Sequence, residues 1–140
     1  MATVGRSRAS LRVFGDELVP DELSALLGGL PTWSAKKGDV VPSKAPGGSR
    51  QVPTGCWRRD ASETVPEDVD GQVLELLAGL TLDLAVWADV AARFDLGLFC
   101  GWFMNKSNEG ATMSPNTLLA LGQRGIERAL DIYGPDRLDD

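Results

Sequence analysis

Tryptophan and charge recur together in this 140-residue chain. Trp33, Lys36, Lys37 and Asp39 fall in one short stretch, Trp57, Arg58 and Arg59 in a second, and Trp102 stands further on. Indole faces attract cations and flat rings, while Lys and Arg heads hold anions. If the two stretches are neighbouring strands, Trp33, Lys36, Lys37, Asp39, Trp57, Arg58 and Trp102 line one groove. Such a groove suits an anionic or aromatic ligand, or a peptide. The plainer alternative puts the tryptophans in the core and lets the Lys and Arg heads reach water.

Other reactive side chains offer less. Asp16, Glu17 and Asp131 are candidate acid/base carboxylates, but a turn and an outward strand position account for them more simply. Cys56 and Cys100 sit in apolar, strand-like settings, Gly55-Cys56-Trp57 and Cys100-Gly101-Trp102. That setting points to buried thiols packed as small apolar groups. Arg58 and Arg59 would lower the pKa of Cys56 only if its thiol faced them. The chain has no histidine, which removes Ser-His-Asp and Cys-His arrangements and the His-containing zinc sites. Gly28-Gly29 and Gly47-Gly48 lack the flanks of a phosphate-binding loop and read as turns. No catalytic residue, metal site or cofactor is assigned.

Composition bounds the rest. Apolar residues make up 43% and charged residues 24%, as in an ordinary globular domain. The length fits one domain, 1–140, with an ordered core over about 8–134, a mobile loop over 41–50 and a frayed tail over 135–140. Met1 to Ser10 is basic and polar with no apolar run behind it, so no secretory signal is expected. Leu80 to Met104 is interrupted by Asp83, Asp89, Arg93 and Asp95, so no membrane span is expected. A cytoplasmic location follows as an expectation. The net charge of −6 speaks against nucleic acid as a partner. The charge is uneven: residues 1–59 hold nine Lys/Arg against five Asp/Glu, and residues 60–140 hold five against fifteen. That asymmetry suits a polar partner or anionic ligand for the first part.

These residues must be positioned by a mixture of strands and helices. Arg8 to Phe14 alternates, with Ala9, Leu11 and Val13 on one side and Arg8, Ser10 and Arg12 on the other, the period of a half-buried strand. Pro20 opens a helix that Gly28-Gly29 ends. Thr32 to Lys36 and Val52 to Arg59 read as strands, with a Pro-, Ser- and Gly-rich loop between them at 41–49. Helical spacing runs from Pro66 to Leu80 and again from Leu84 to Phe94, as two stacked helices or one kinked helix. Leu96 to Met104 is apolar on both faces, which marks a central strand covered at least in part on both sides. A hairpin return through Ala111 to Met113, a helix from Ser114-Pro115, and a strand from Ile126 to Tyr133 complete the chain. The expected class is α+β, a mostly antiparallel sheet with helices on one face, of the ferredoxin-like type. Pro20-x-x-Leu23-x-x-Leu26 and Pro115-x-x-Leu118-x-x-Leu121 share one spacing, which hints at a duplicated βαβ unit.

An ordered set of short motifs runs through the chain. Leu11-Arg12-Val13-x-Gly15-Asp16 is followed by Pro20-Asp21-Glu22-Leu23, Leu30-Pro31-Thr32 and Lys37-Gly38-Asp39. Thr54-Gly55-x-Trp57, Cys100-Gly101-Trp102 and Leu130-Asp131-Ile132-Tyr133 complete it. Together they resemble the bacterial domain-of-unknown-function family 4279, over about Leu11 to Tyr133. Two positions depart from its pattern. Val19 stands where an acidic or polar residue usually precedes the helix-opening proline, and Cys56 stands where glycine is usual. The resemblance implies a compact bacterial α+β domain and no activity.

The leading expectation is a non-enzymatic binding or interaction module. One variant is an immunity-like domain that neutralises a basic protein through charge complementarity. The alternatives are a small enzyme using carboxylate and Lys/Arg groups, and a homodimer that binds a small ligand between its sheets.

Overall fold

A computed structural model describes residues 2–135. The elements run β1 (Arg6–Gly15), α1 (Pro20–Leu27), β2 (Trp33–Ala35), β3 (Val40–Pro42), β4 (Ser49–Gln51) and β5 (Gly55–Asp60). They continue with α2 (Val69–Leu77), α3 (Leu84–Arg93), β6 (Asp95–Phe103), α4 (Pro115–Gln123) and β7 (Glu127–Tyr133). Five strands form one sheet in the order β2-β5-β1-β6-β7. All neighbours are antiparallel except β6 and β7, which are parallel. The α+β class with a mostly antiparallel sheet is as expected.

Period-two alternation decides which side of the sheet is covered. Ala9, Leu11 and Val13 of β1, Trp57 of β5 and Leu96, Leu98 and Cys100 of β6 point to one face. There they meet Leu23 and Leu27 of α1, Val69, Val73 and Leu76 of α2, Trp87 and Val90 of α3, and Leu121 of α4 in one core. All four helices therefore bury their apolar stripes on the same side. Each helix start has its own reason. Asp68, Asp83 and Ser114 cap α2, α3 and α4 through side-chain oxygens. Val19 gives α1 no such bond, and Pro20 at its first turn supplies the helical φ instead.

Several expectations change. The segment 41–50 holds a two-stranded hairpin, β3 with β4, where a loop was expected; Val40 pairs with Gln51 and Pro42 with Ser49. Two separate helices replace the alternative of one kinked helix, divided at Gly79 with φ of 75°. Ala111–Met113 forms no strand; only Gly110 bridges, to Thr3. Among the described residues helices cover only one face of β6, and the other is covered in part, Phe99 and Phe103 being half-buried under the heads of Arg12 and Arg6. The two βαβ units also differ in arrangement. β5 lies between β1 and β2, whereas β6 and β7 are adjacent. Of the tail expected to fray, 136–140 lies outside the described residues.

Candidate functional site

The uncovered face of the sheet carries the chemistry. Reading across it, Trp33 of β2 stands opposite Arg58 of β5, and Arg58 stands opposite Arg12 of β1. On its other side Arg12 faces Gly97 of β6, and Ser10 faces both Asp60 and Phe99. Gly97 in turn neighbours Glu127 of β7, and Phe103 neighbours Tyr133. The face is thus a patchwork of arginines, aromatic rings and carboxylates.

Most arginines here are neutralised or occupied. Arg8 donates to Glu63 at 2.7 Å, and Arg6 lies 3.7 Å from the same carboxylate. Arg6 also sits 4.0 Å above the Phe103 ring, which stacks on Tyr133 at 4.8 Å. Arg58 Nε lies 3.1 Å from Asp60 Oδ1, but the angle makes no hydrogen bond, and this buried nitrogen has no other partner among the described residues. The Arg58 guanidinium lies 5.6 Å from the Trp33 ring centre.

Arg12 is held differently. Its Nε donates to Ser10 Oγ at 2.8 Å, and its guanidinium lies 4.2 Å above the Phe99 ring. Two contacts fix the planar head, and neither uses the terminal nitrogens. Among the described residues no carboxylate pairs with it. Arg12 borders three hollows on this face. One, of about 220 Å³, has Gly97 as its floor and Phe14, Phe99, Asp95, Glu127 and Ala129 around it. A second, of about 470 Å³, reaches toward Phe103 and Tyr133. The third, of about 250 Å³, lies toward the hairpin and includes Trp33, Arg50, Thr54, Cys56 and Arg58.

The seven residues singled out in the sequence do not form one groove. Trp33 and Arg58 share the open face, as expected if their strands are neighbours. Trp57 is fully buried on the opposite face, where its indole N–H donates to Ser24 Oγ of α1 at 3.0 Å. Trp102 also lies on the helix side, half-buried against the core, with its indole nitrogen unpaired among the described residues. The cause is the pleat: Trp57 and Arg58 are consecutive, so they point to opposite faces. Lys36, Lys37 and Asp39 occupy the exposed turn after β2. Asp39 closes that turn by accepting from the Lys36 backbone N–H at 2.9 Å, and Lys37 reaches Asp16 at 3.2 Å. Hydrogen bonds from Thr54 and Lys37 hold the Asp16 carboxyl below its ordinary range. This pair stands on open surface and lines none of the hollows described. Asp131 pairs with the Tyr133 hydroxyl on the edge strand.

Both thiols are buried and free. Burial pushes the Cys56 thiol above its usual pKa, against the opposing pull of Arg58 and Arg12. Burial likewise raises Cys100 to about 11. Arg59, expected as a neighbour of Cys56, lies on the helix side and donates to the Leu76 and Ala78 carbonyls at the end of α2.

Sequence reasoning passed over Arg12, Arg50, Phe14, Phe99 and Gly97. The signal for some was present, since Arg8, Ser10 and Arg12 alternate away from the core and Phe99 and Phe103 point away from Leu98 and Cys100. Among the described residues no group of three or more His, Cys, Asp or Glu is placed to hold a metal ion. Among the described residues no helix is long and apolar enough to cross a membrane. No curated protein and no solved structure matches the chain. The model of the family described as Domain of unknown function (DUF4279) matches residues 5–135. The chain belongs to that family.

Proposed function

We propose that this domain is a binding module that takes an anionic ligand on its open sheet face, with Arg12 as the anchor. The observation that carries this reading is the state of Arg12. It is half-buried, oriented through Nε and its ring contact, and free at its terminal nitrogens among the described residues. A guanidinium presented in this way offers two parallel N–H donors to a carboxylate or phosphate. Its orientation is established before binding, which lowers the ordering cost of association.

The surroundings support the same reading. Arg12 and Arg58 are direct cross-strand partners, an arrangement that costs roughly 0.2–1 kcal/mol for like charges. Asp60 is the carboxylate within reach of Arg58, and Arg50 of the hairpin adds a third cation to the hollow they share. An anion between them offsets that repulsion. The far end of the face needs no such ligand, because Glu63 already serves Arg6 and Arg8.

The test is titration with inorganic phosphate and with acetate, followed by backbone and arginine side-chain NMR. Saturable shifts at Arg12, Arg58 and Gly97 are expected, with affinity falling at least about tenfold in Arg12→Gln, the loss of one charge-assisted bidentate contact. Shifts that are absent, or unchanged in Arg12→Gln, would remove the proposal.

A further inference from the structure

The hollow beside Arg12 over Gly97 constrains the ligand further, and the inference rests on the anion reading above. We infer that it accepts a single flat ring bearing an anionic group at one end and a hydrogen-bond donor or cationic group at the other.

Four features lead to this class. The floor is glycine, and no positive φ requires it there. A Cβ there would come 3.3 Å from the Glu127 carbonyl oxygen, so that β7 would have to give by a few tenths of an ångström, and it would border the hollow. Glycine inside a strand weakens it and often marks the place where a ligand approaches the backbone. The walls are aromatic, Phe14 on β1 and Phe99 on β6, and such walls favour a π-system over an aliphatic chain. The volume of about 220 Å³ lies below the range of roughly 300–1,000 Å³ that suits larger ligands, so one ring fills it.

The charges define the two ends. Arg12 stands on one side of Gly97, across β1, and Glu127 stands on the other, across β7. Asp95 adds a second carboxylate to the rim beside Phe14. Neither Asp95 nor Glu127 is in an ion pair among the described residues. A plain aromatic anion meets Arg12 well but leaves these carboxylates facing its far edge. A ring with an amine or amide donor opposite the acid satisfies both sides.

The experiment compares acetate, benzoate and 4-(aminomethyl)benzoate by NMR titration at low salt, on the wild type, Gly97→Val and Glu127→Gln. Valine suits a strand and fills the hollow; Glu127→Gln keeps the shape at an exposed position. Folding of both variants is checked by thermal unfolding. Benzoate is expected to bind about five- to tenfold more tightly than acetate, from ring contact. The aminomethyl group is expected to add a further two- to fivefold that salt screens, as an exposed ion pair does. Gly97→Val should return both aromatic probes to the acetate level, and Glu127→Gln should remove the aminomethyl gain alone. If acetate and benzoate bind equally through Arg12, the ring inference is overturned and the anion reading stands. If benzoate gains but its aminomethyl derivative does not, the bipolar assignment is overturned. If none of the probes binds, both readings fall.

Discussion

Replacing Gln72 by methionine tests how the upper part of the sheet is tied to its helices. Gln72 sits on α2 and is 1% exposed. Its Nε2 donates to the Ser7 carbonyl at 2.9 Å and the Ser62 carbonyl at 3.0 Å, and its Oε1 accepts from Ser7 Oγ at 2.9 Å. One amide thus joins α2, β1 and the segment after β5. Methionine keeps the length and the unbranched shape but removes all three bonds. Ser7 retains partners, because Thr64 N–H still reaches its carbonyl and Thr64 Oγ1 its hydroxyl. The Ser62 carbonyl loses its donor. Three bonds at about 1 kcal/mol each give roughly 3 kcal/mol, and easier burial of the thioether returns about 1. The net loss is about 2 kcal/mol. For a chain of this length that corresponds to roughly 6–8 °C in Tm. Thermal and urea unfolding, monitored by tryptophan fluorescence and circular dichroism, measure it. A drop below about 2 °C would show that water or rearrangement replaces the amide, and would refute the network as a structural tie.

Three further outcomes follow from the same geometry. A double-mutant cycle with Arg12→Gln and Arg58→Gln should give an unfavourable wild-type coupling of roughly 0.2–1 kcal/mol that shrinks in 1 M salt; a favourable coupling from urea unfolding would contradict the opposed-charge reading. Both cysteines should resist iodoacetamide at pH 8 while folded and react once denatured, because a pKa of about 11 at Cys100 leaves roughly one thiolate in a thousand at that pH; rapid native labelling of Cys100, read by mass spectrometry, would count against its burial. Asp70 joins α2 to α4 by accepting from the Thr117 hydroxyl at 2.7 Å and the Ser114 N–H at 3.0 Å, and these bonds lower its pKa from 3.8. Its contribution is therefore complete above about 3.8 and is lost as pH falls through the lower folded value; Asp70→Asn should be less stable than the wild type at pH 7 and approach it in acid, and a gap that stays constant with pH in unfolding titrations would refute this.

The legible parts of the fold were those where one strand or helix face meets the core. Ala9, Leu11 and Val13 are buried and Arg8 and Arg12 are not, because helices cover β1 on one side; Ser10 alone breaks the pattern, buried on the open face where its hydroxyl accepts from Arg12 Nε. β6 was harder for the opposite reason. Its residues are apolar on both sides, yet the helix side takes only Leu96, Leu98, Cys100 and Trp102. Phe99 and Phe103 are instead shielded by the guanidinium heads of Arg12 and Arg6. A phenylalanine under an arginine and one under a helix look alike in a sequence. The hairpin was missed because each of its strands has three residues and Ser49-Arg50-Gln51 has no apolar member.

The site was legible in charge but not in position. The excess of Lys and Arg before residue 60 pointed to a polar partner for that part of the chain, and Arg8, Arg12, Arg50 and Arg58 do line the hollows of the open face. Of these the sequence singles out Arg58 and passes over Arg8, Arg12 and Arg50, because charge close to tryptophan along the chain is not proximity in space. Along a strand, adjacency means opposite faces, so Trp57 and Arg58 were separated by the rule that makes them a strand at all. Arg12 carried no local mark. What distinguishes it is supplied by other elements: β5 brings Arg58 opposite it, β6 brings a ring beneath its guanidinium, and Gly97 leaves space beside it. A guanidinium becomes a binding group when its Nε and its face are already engaged and its far edge is not. That condition depends on register across three strands, and no spacing within one strand encodes it.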